Sequence, residues 1–439
     1  SGLFGVNQQI LKTQAEYLSR KYHCVITNPP YLGKGFGDAL KNYLISEYPD
    51  SKYDTMATFM ERCYQLCVEE GKYGMINMHS WMFLTSFDRL RQNIVKNQFI
   101  NSLLHLGPHT FDELSGEVVQ NAAFIISKSS AKDKCGVYFR LVDGKNCSSK
   151  EQAFLMANKE HTNQIYFSKV KQENFQKISN MPIGYWLSDK FFEIFSTCKK
   201  LSECVDTKLG MSTNDNGRFL RLWHEVSTND SCYTRKNSDS KEFTEKWFPY
   251  SKGGGAKKWY GGVTEVINWE NDGQEVKQLA SDLYGSYTRT CKNSQHFFRE
   301  AISWNLISSG GKNSFRYIPE GCVLGDAGPV CFAGEKQKYY LGLLNTKFVS
   351  DVLALINPTI NCSTGVVNTI PVIENTNEII ESNVLDNIAI SKQDWDSHET
   401  TWDFKTNELF RLALGLTYDQ VESSLMTNVG INLSLEDLV

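Results

Sequence analysis

Cys24-Val25-Ile26-Thr27-Asn28-Pro29-Pro30-Tyr31 is the stretch that decides the fold, an apolar run that meets two consecutive prolines. Proline lacks an N–H and pushes the residue before it into extended backbone, so the run ends as a strand and the chain turns stiffly there. Asn28 and Tyr31 are held still on that turn. Downstream, residues 54–70 read as a helix ending at Gly71, 73–78 as the next strand, and 86–97 as a helix with Leu90 and Ile94 at helical spacing. Three further strands are expected at 100–106, 121–127 and 137–142. Alternating strands and helices predict an α/β fold with a mainly parallel sheet. Ligands of such sheets sit beyond the carboxyl ends of the strands, where Asn28 and His79-Ser80-Trp81 both fall.

At 439 residues the chain has room for two or three domains, and its apolar and charged fractions are those of a globular protein. No apolar run approaches the ~20 residues a bilayer demands, and the start lacks a basic region followed by an apolar stretch. A cytoplasmic protein with no membrane partner is expected. Twelve cysteines are scattered without a CxxC pair or a Cys/His cluster, which predicts reduced thiols and no metal site. The net charge of −4 is unevenly spread: residues 1–375 carry 43 Lys and Arg against 38 Asp and Glu, and residues 376–439 carry 3 against 12. A modestly basic body is compatible with phosphate contacts. Helix and strand periodicity fades around 145–185, and 186–375 holds short strands, glycine turns and aromatics. The expected organisation is an α/β domain at 1–150, a linker at 151–185, a mixed α+β domain at 186–375 and an acidic, short helical tail at 376–439.

The turn suits attack by a weakly nucleophilic planar nitrogen, either an exocyclic amine of a nucleobase or an amide. Two acceptors that grip its hydrogens help to localise the lone pair. Here they are the uncharged side-chain oxygen of Asn28 and the main-chain carbonyl of Pro29, on a segment that Pro30 keeps from swivelling. Tyr31 offers a flat face on which a flipped base can stack, worth ~1–3 kcal/mol. An ordinary strand-ending turn is the other reading of the same residues. Leu32-Gly33-Lys34-Gly35-Phe36-Gly37 lacks the ending of a phosphate-binding P-loop, so a loop closing over substrate, or plain flexibility, is expected instead. Phe111, ahead of the strand at 121, is either the second face of a base sandwich with Tyr31 or a core phenylalanine. In the second region Arg218 and Arg221 lie near Trp223, and Lys252, Lys257 and Lys258 lie among glycines beside Trp259 and Tyr260. Cations beside aromatics on loops suit phosphate and base contact, and a solvated surface has the same composition. No Ser-His-Asp order or closely spaced carboxylate set suggests a hydrolase.

These residues resemble the C-terminal part of an N6-adenine DNA methyltransferase. Asn28-Pro29-Pro30-Tyr31 matches the catalytic motif in full, and residues 58–63 and 75–83 resemble the helix and strand that follow it. More narrowly, Met78 to Leu84, Gly116 to Gln120, Asn216 to Arg221, Trp247 to Tyr250, Asn268 to Gly273 and Ser391 to Asp396 are similar to segments of PglX-type adenine methyltransferases of BREX phage-defence systems. Six separated segments in the same order make the likeness specific.

The resemblance implies transfer of a methyl group from S-adenosylmethionine to a flipped adenine in double-stranded DNA, marking host DNA alongside other phage-defence proteins. Asn28 and the Pro29 carbonyl would hold the amine, Pro30 would stiffen the turn, and Tyr31 with Phe111 would stack the base. Lys34, Arg218, Arg221, Lys252, Lys257 and Lys258 would contact DNA, with 186–375 as the target-recognition domain. The implied fold is a Rossmann-like methyltransferase sheet, incomplete here. The family's glycine-containing cofactor motif precedes its catalytic motif, and only a short stretch precedes Asn28. A chain lacking the main S-adenosylmethionine motif, and inactive by itself, is expected. Two other readings stay open: a sequence-recognising DNA-binding module without catalysis, and a methyltransferase acting on a protein glutamine amide.

Overall fold

In a computed structural model the apolar run forms strand β1 (Tyr22–Thr27), which follows helix α1 (Gln8–Ser19) and stops where the prolines begin. The structure describes residues 8–33, 35–111, 119–131, 133–161, 164–239, 243–307, 314–357, 360–374 and 378–407, with positions 409, 411 and 415. Lys34, most of the 116–120 segment and most of the helix-compatible stretch 408–416 lie outside the described residues. Contacts divide the chain into one unit of residues 1–198 with 354–358 and a second of 199–353 with 359–439.

The first unit continues through α2 (Asp38–Glu47), α3 (Thr55–Leu66), β2 (Cys67–Met78), α4 (Asp88–Asn97), β3 (Phe99–Gly107), β4 (Asn121–Ser127), β5 (Cys135–Arg140), α5 (Cys147–Glu160), β6 (Tyr166–Lys171) and α6 (Asp189–Thr197). Its six strands form one sheet in the order β1-β2-β4-β3-β5-β6. β1 pairs with β2, and β3 with β5, in parallel; β4 is antiparallel to both β2 and β3, and β6 to β5. The mainly parallel sheet expected from sequence is therefore a mixed one. The connections explain it: α3 and α4 carry the chain back across the sheet, so β1, β2 and β3 run the same way. No described helix lies between β3 and β4, and β4 reverses. The boundaries also differ from expectation. The helix expected over 54–70 is α3 and ends at Leu66, and much of the stretch read as a linker is α5 and the edge strand β6.

One face of this sheet is packed. Tyr73 and Met75 of β2, Phe124 and Ile126 of β4 and Leu103 of β3 are buried beneath residues such as Met56 and Met60 of α3 and Ile94 of α4. The other face is covered towards β5 by Phe154 and Ala157 of α5. Across β1, β2 and β4 it is open, forming a trough of about 770 Å³ lined by Cys24, Ile26, Ile76, Ala123 and Ile125. Ile26 is 80% exposed, an unusual place for an isoleucine in a strand.

The second unit comprises β7 (Asp206–Lys208), α7 (Asn216–Phe219), β8 (Leu220–Leu222), β9 (Trp247–Ser251), β10 (Glu265–Asn268), α8 (Glu270–Tyr284), β11 (Ala301–Ser303), β12 (Arg316–Ile318), β13 (Val323–Leu324), β14 (Val330–Phe332), α9 (Gln337–Leu344), most of α10 (Lys347–Ile356), α11 (Thr364–Val367) and α12 (Glu378–Asp396). Two four-stranded sheets, β13-β9-β10-β8 and β12-β11-β14-β7, enclose a core that includes Phe219, Phe248, Trp269 and Phe297. Gly273 is required there, because a Cβ would come within 2.5 Å of the Trp269 ring. The acidic end packs into this unit: α12 lies against α9, and Trp223 Nε1 donates to the Thr400 carbonyl at 2.8 Å. No disulfide joins any of the twelve cysteines, and six of them are buried.

Candidate active site

Asn28, Pro29, Pro30 and Tyr31 sit at the carboxyl end of β1, and the start of α3 locks them. Asp54 caps that helix by accepting from Met56 N at 2.9 Å. Thr55 Oγ1 donates to the Pro30 carbonyl at 2.7 Å and accepts from Leu32 N at 3.2 Å, and Thr55 N donates to the Leu32 carbonyl at 3.2 Å. The turn is thus stapled on both sides of Tyr31. The Pro30 carbonyl is spoken for, whereas the Pro29 carbonyl has no donor among the described residues. Asn28 is exposed, and its Oδ1 meets the Tyr31 hydroxyl at 3.4 Å.

Tyr31 is half-buried, its ring anchored at the hydroxyl, which donates to the Ile76 carbonyl at 3.2 Å and accepts from Asn121 Nδ2 at 3.3 Å. Asn121 also donates to the Asn77 carbonyl at 3.3 Å, and its own Oδ1 is buried without a partner. Burial raises the Tyr31 pKa above its ordinary value, and the Asn121 bond works the other way. The ring therefore stays neutral and flat at physiological pH.

Beyond β2, Arg91 Nη1 donates to the Trp81 and Leu84 carbonyls at 2.8 and 2.6 Å, fixing the turn at 79–84. His79, on that turn, has Nδ1 2.8 Å from His105 Nε2, and His105 Nδ1 is 3.1 Å from the Tyr185 hydroxyl. Burial lowers the His79 pKa to about 4 and, with the positive field of His79, Arg140 and Lys150, that of His105 to about 3. Both rings are neutral at pH 7, each with one N–H, and the contact between them holds one of those two hydrogens.

Register places the ends of these strands together: Thr27 stands opposite Met75, Met78 opposite Asn121, and Asn121 opposite Gly107. Phe111, four residues past β3, is 39% exposed and emerges at that same end of the sheet; residues 112–118 lie outside the described ones. Sequence reasoning missed Thr55, Asn121 and the His79–His105 pair. The Asp54-Thr55 cap immediately before a helix, on the chain that returns from the Pro-Pro turn, was the available signal for the first.

The cations singled out in the second unit divide into engaged and open ones. Arg218 pairs with Glu275 at 3.0 Å, and Arg221 donates to the Gly217 and Leu220 carbonyls at 2.7 and 2.6 Å. Lys252 pairs with Glu265 at 3.2 Å. Lys257 and Lys258 are exposed, with the Lys257 ammonium 5.4 Å from the centre of the Trp395 ring.

The part of the chain that carries this mixed sheet and its Pro-Pro turn is matched among restriction-modification methylases. The family model of the Eco57I restriction-modification methylase matches residues 4–111. The Type IIL restriction-modification enzyme MmeI, solved in complex with DNA, superposes over 94% of this chain and 56% of its own with a TM-score of 0.51 at 13% identity, a likeness of fold. More narrowly, the chain is 37% identical over 396 residues to the adenine-specific methyltransferase PglX of Lacticaseibacillus casei (strain Zhang), covering 89% of this chain and 33% of that protein. It is 35% identical over 402 residues to the adenine-specific methyltransferase BrxX of Escherichia coli O9:H4 (strain HS), covering 90% and 31%. The likeness to PglX-type enzymes read from the sequence is thereby established, and the chain spans about a third of the length of these curated relatives.

Proposed function

We propose that this chain supplies the amine-binding side of a DNA adenine-N6 methyltransferase that marks host DNA in phage defence or restriction-modification. The observation that carries this reading is the state of the acceptors on the turn: Thr55 occupies the Pro30 carbonyl, while the carbonyl of the buried Pro29, next to Asn28, has no donor among the described residues. An N6 amine placed there would donate one hydrogen to Asn28 Oδ1 and the other to the Pro29 carbonyl. Its lone pair would then turn out of conjugation with the purine ring. Neutral acceptors suit this step, because the nitrogen becomes positive as it is methylated and a fixed dipole stabilises that charge without first being protonated itself. Tyr31, pinned by Ile76 and Asn121, would stack one face of the adenine, with Phe111 on the other. Residues 186–375 would recognise the target sequence.

S-adenosylmethionine would supply the methyl group. β1 pairs with β2 alone, and among the described residues no glycine turn between a strand and a helix adjoins its open edge. The residues present fit the acceptor half of such a site and not a full cofactor pocket. The open edge and the bare face of the sheet support the reading that further polypeptide completes it. Isothermal titration of the isolated chain with S-adenosylmethionine is expected to show no binding tighter than millimolar, and micromolar binding would overturn that division. The reading as a whole is tested by nucleoside mass spectrometry of DNA from cells that make the complete protein. N6-methyladenine is expected, and its absence, or methyl groups found on protein glutamine instead, would refute it.

A further inference from the structure

In the second unit the chain leaves β9 through Lys252 and three successive glycines at positive φ, 83° at Gly253, 122° at Gly254 and 61° at Gly255. This loop is riveted from below. Arg316, 1% exposed, donates to the Gly254 carbonyl at 2.9 Å and to Asn305 Oδ1. Asn305 Oδ1 also accepts from Gly254 N at 3.1 Å, and its amide donates to the Gly255 carbonyl at 2.5 Å. The glycines permit this approach: a Cβ at Gly253 would stand 2.8 Å from the Ala327 carbonyl oxygen, and one at Gly262 would stand 2.8 Å from Arg316 Nη1.

Arg316 has no acidic partner among the described residues. Burial lowers its pKa to about 10, so it remains charged at neutral pH, and neutral oxygens alone receive it. A buried cation without a counter-ion is costly unless an anion comes to it. Beside the loop lies a trough of about 460 Å³ walled by the glycines, Thr264, Ala327 and Trp395, with Lys252, Glu265 and Lys257 on its rim. Glu265 engages Lys252, while Lys257 has no carboxylate partner among the described residues. The backbone amides of Gly255, Ala256 and Lys257 also lack a protein acceptor among the described residues. Two lysines against one carboxylate on the trough, with Arg316 buried beneath the glycine loop and unpaired amides on that turn, make an anion seat.

We propose that this trough seats one backbone phosphate of duplex DNA, held by Lys257 and the loop amides above the charge of Arg316. The proposal rests on the reading of DNA as substrate and deepens it. A phosphate contact fixes the position of the duplex and carries no base sequence, so its contribution is the same on every duplex. Inorganic phosphate shares the chemistry, and the two sources are separable.

The test is equilibrium binding of the chain to two unrelated duplexes across a range of salt concentrations, with inorganic phosphate titrated separately. Each phosphate contact contributes about 0.9 to the slope of log affinity against log salt. Lys257→Ala is expected to lower that slope by about one on both duplexes, with the thermal midpoint unchanged, while Lys258→Ala, off the trough, lowers it less. Binding by the unaltered chain with the same slope in Lys257→Ala would overturn the phosphate seat and leave the DNA reading intact. No binding by the unaltered chain at low salt would remove both. Phosphate binding that Lys257→Ala abolishes, with no change in the DNA slope, would assign the seat to a free phosphate and overturn the proposal.

Discussion

Asn28→Ala, introduced into the complete methylating protein, is expected to lower the single-turnover rate of adenine methylation by about 10²–10³-fold or more, the usual cost of removing one preorganised hydrogen-bonding group at a reacting centre. DNA affinity should hardly move, since the ring of Tyr31 and the phosphate contacts survive. Stability should also hold. Asn28 is exposed and its side chain makes one long contact, 3.4 Å to the Tyr31 hydroxyl, so the change belongs with surface substitutions worth within about 0.5 kcal/mol. Tyr31 keeps its bonds to Ile76 and Asn121 when Asn28 is trimmed, so the aromatic face stays in place. Asn28→Asp is the informative companion. It keeps an acceptor of the same shape but puts a full charge on an exposed site, and partial activity is expected. A methylation rate within threefold of the unaltered protein in Asn28→Ala would remove Asn28 from the reaction.

How far this site was legible from sequence depends on which physical signal each part leaves. The turn was legible because two prolines act locally: they end β1 and stiffen the backbone whatever surrounds them. The helices α3 and α4 were legible by their spacing, though the first gives way to β2 four residues early. The direction of β4 was not, because a strand alternates with period two whether it runs up or down the sheet. Thr55 staples the turn across 25 residues of chain, and Asn121 reaches Tyr31 across 90; nothing in the composition of either stretch announces those partners. The cations show the same limit. Arg218 and Lys257 look alike beside their aromatics, yet Glu275 returns from 57 residues away to pair with one and no carboxylate among the described residues reaches the other. The acidic end shows it too: Lys392 is clamped between Asp396 and Asp403, a neutralisation that net charge conceals, and α12 lies against α9 with Val384 buried and most of its length exposed.

The histidine pair gives the second large expectation, a loss of stability in mild acid. In the unfolded chain both imidazoles take up protons near pH 6.5, whereas in the folded protein burial holds His79 to about 4 and His105 to about 3. Between those limits the unfolded state binds more protons, so stability is fully present above pH 6.5 and falls as the pH falls. Each group contributes a slope of about 1.4 kcal/mol per pH unit, or about 2 kcal/mol by pH 5. His105, 5% exposed, carries most of this, and His79, half-buried, is partly screened by water and contributes less. Geometry adds to burial: with both rings doubly protonated, N–H would face N–H across the 2.8 Å contact. Glu61, whose carboxyl burial raises to about 7, pulls the opposite way, because it is protonated in the fold between about pH 4.5 and 7 and ionised when unfolded. The comparison that isolates the pair is therefore between proteins and not between pH values alone. Urea unfolding at pH 7.5 and pH 5 is expected to show the unaltered chain losing about 2 kcal/mol more on acidification than His105→Gln, which keeps a hydrogen-bonding side chain and cannot charge. Equal losses in the two proteins would mean that the pair is already protonated in the fold, and that the bond between His79 and His105 is not what holds the 79–84 turn against β3.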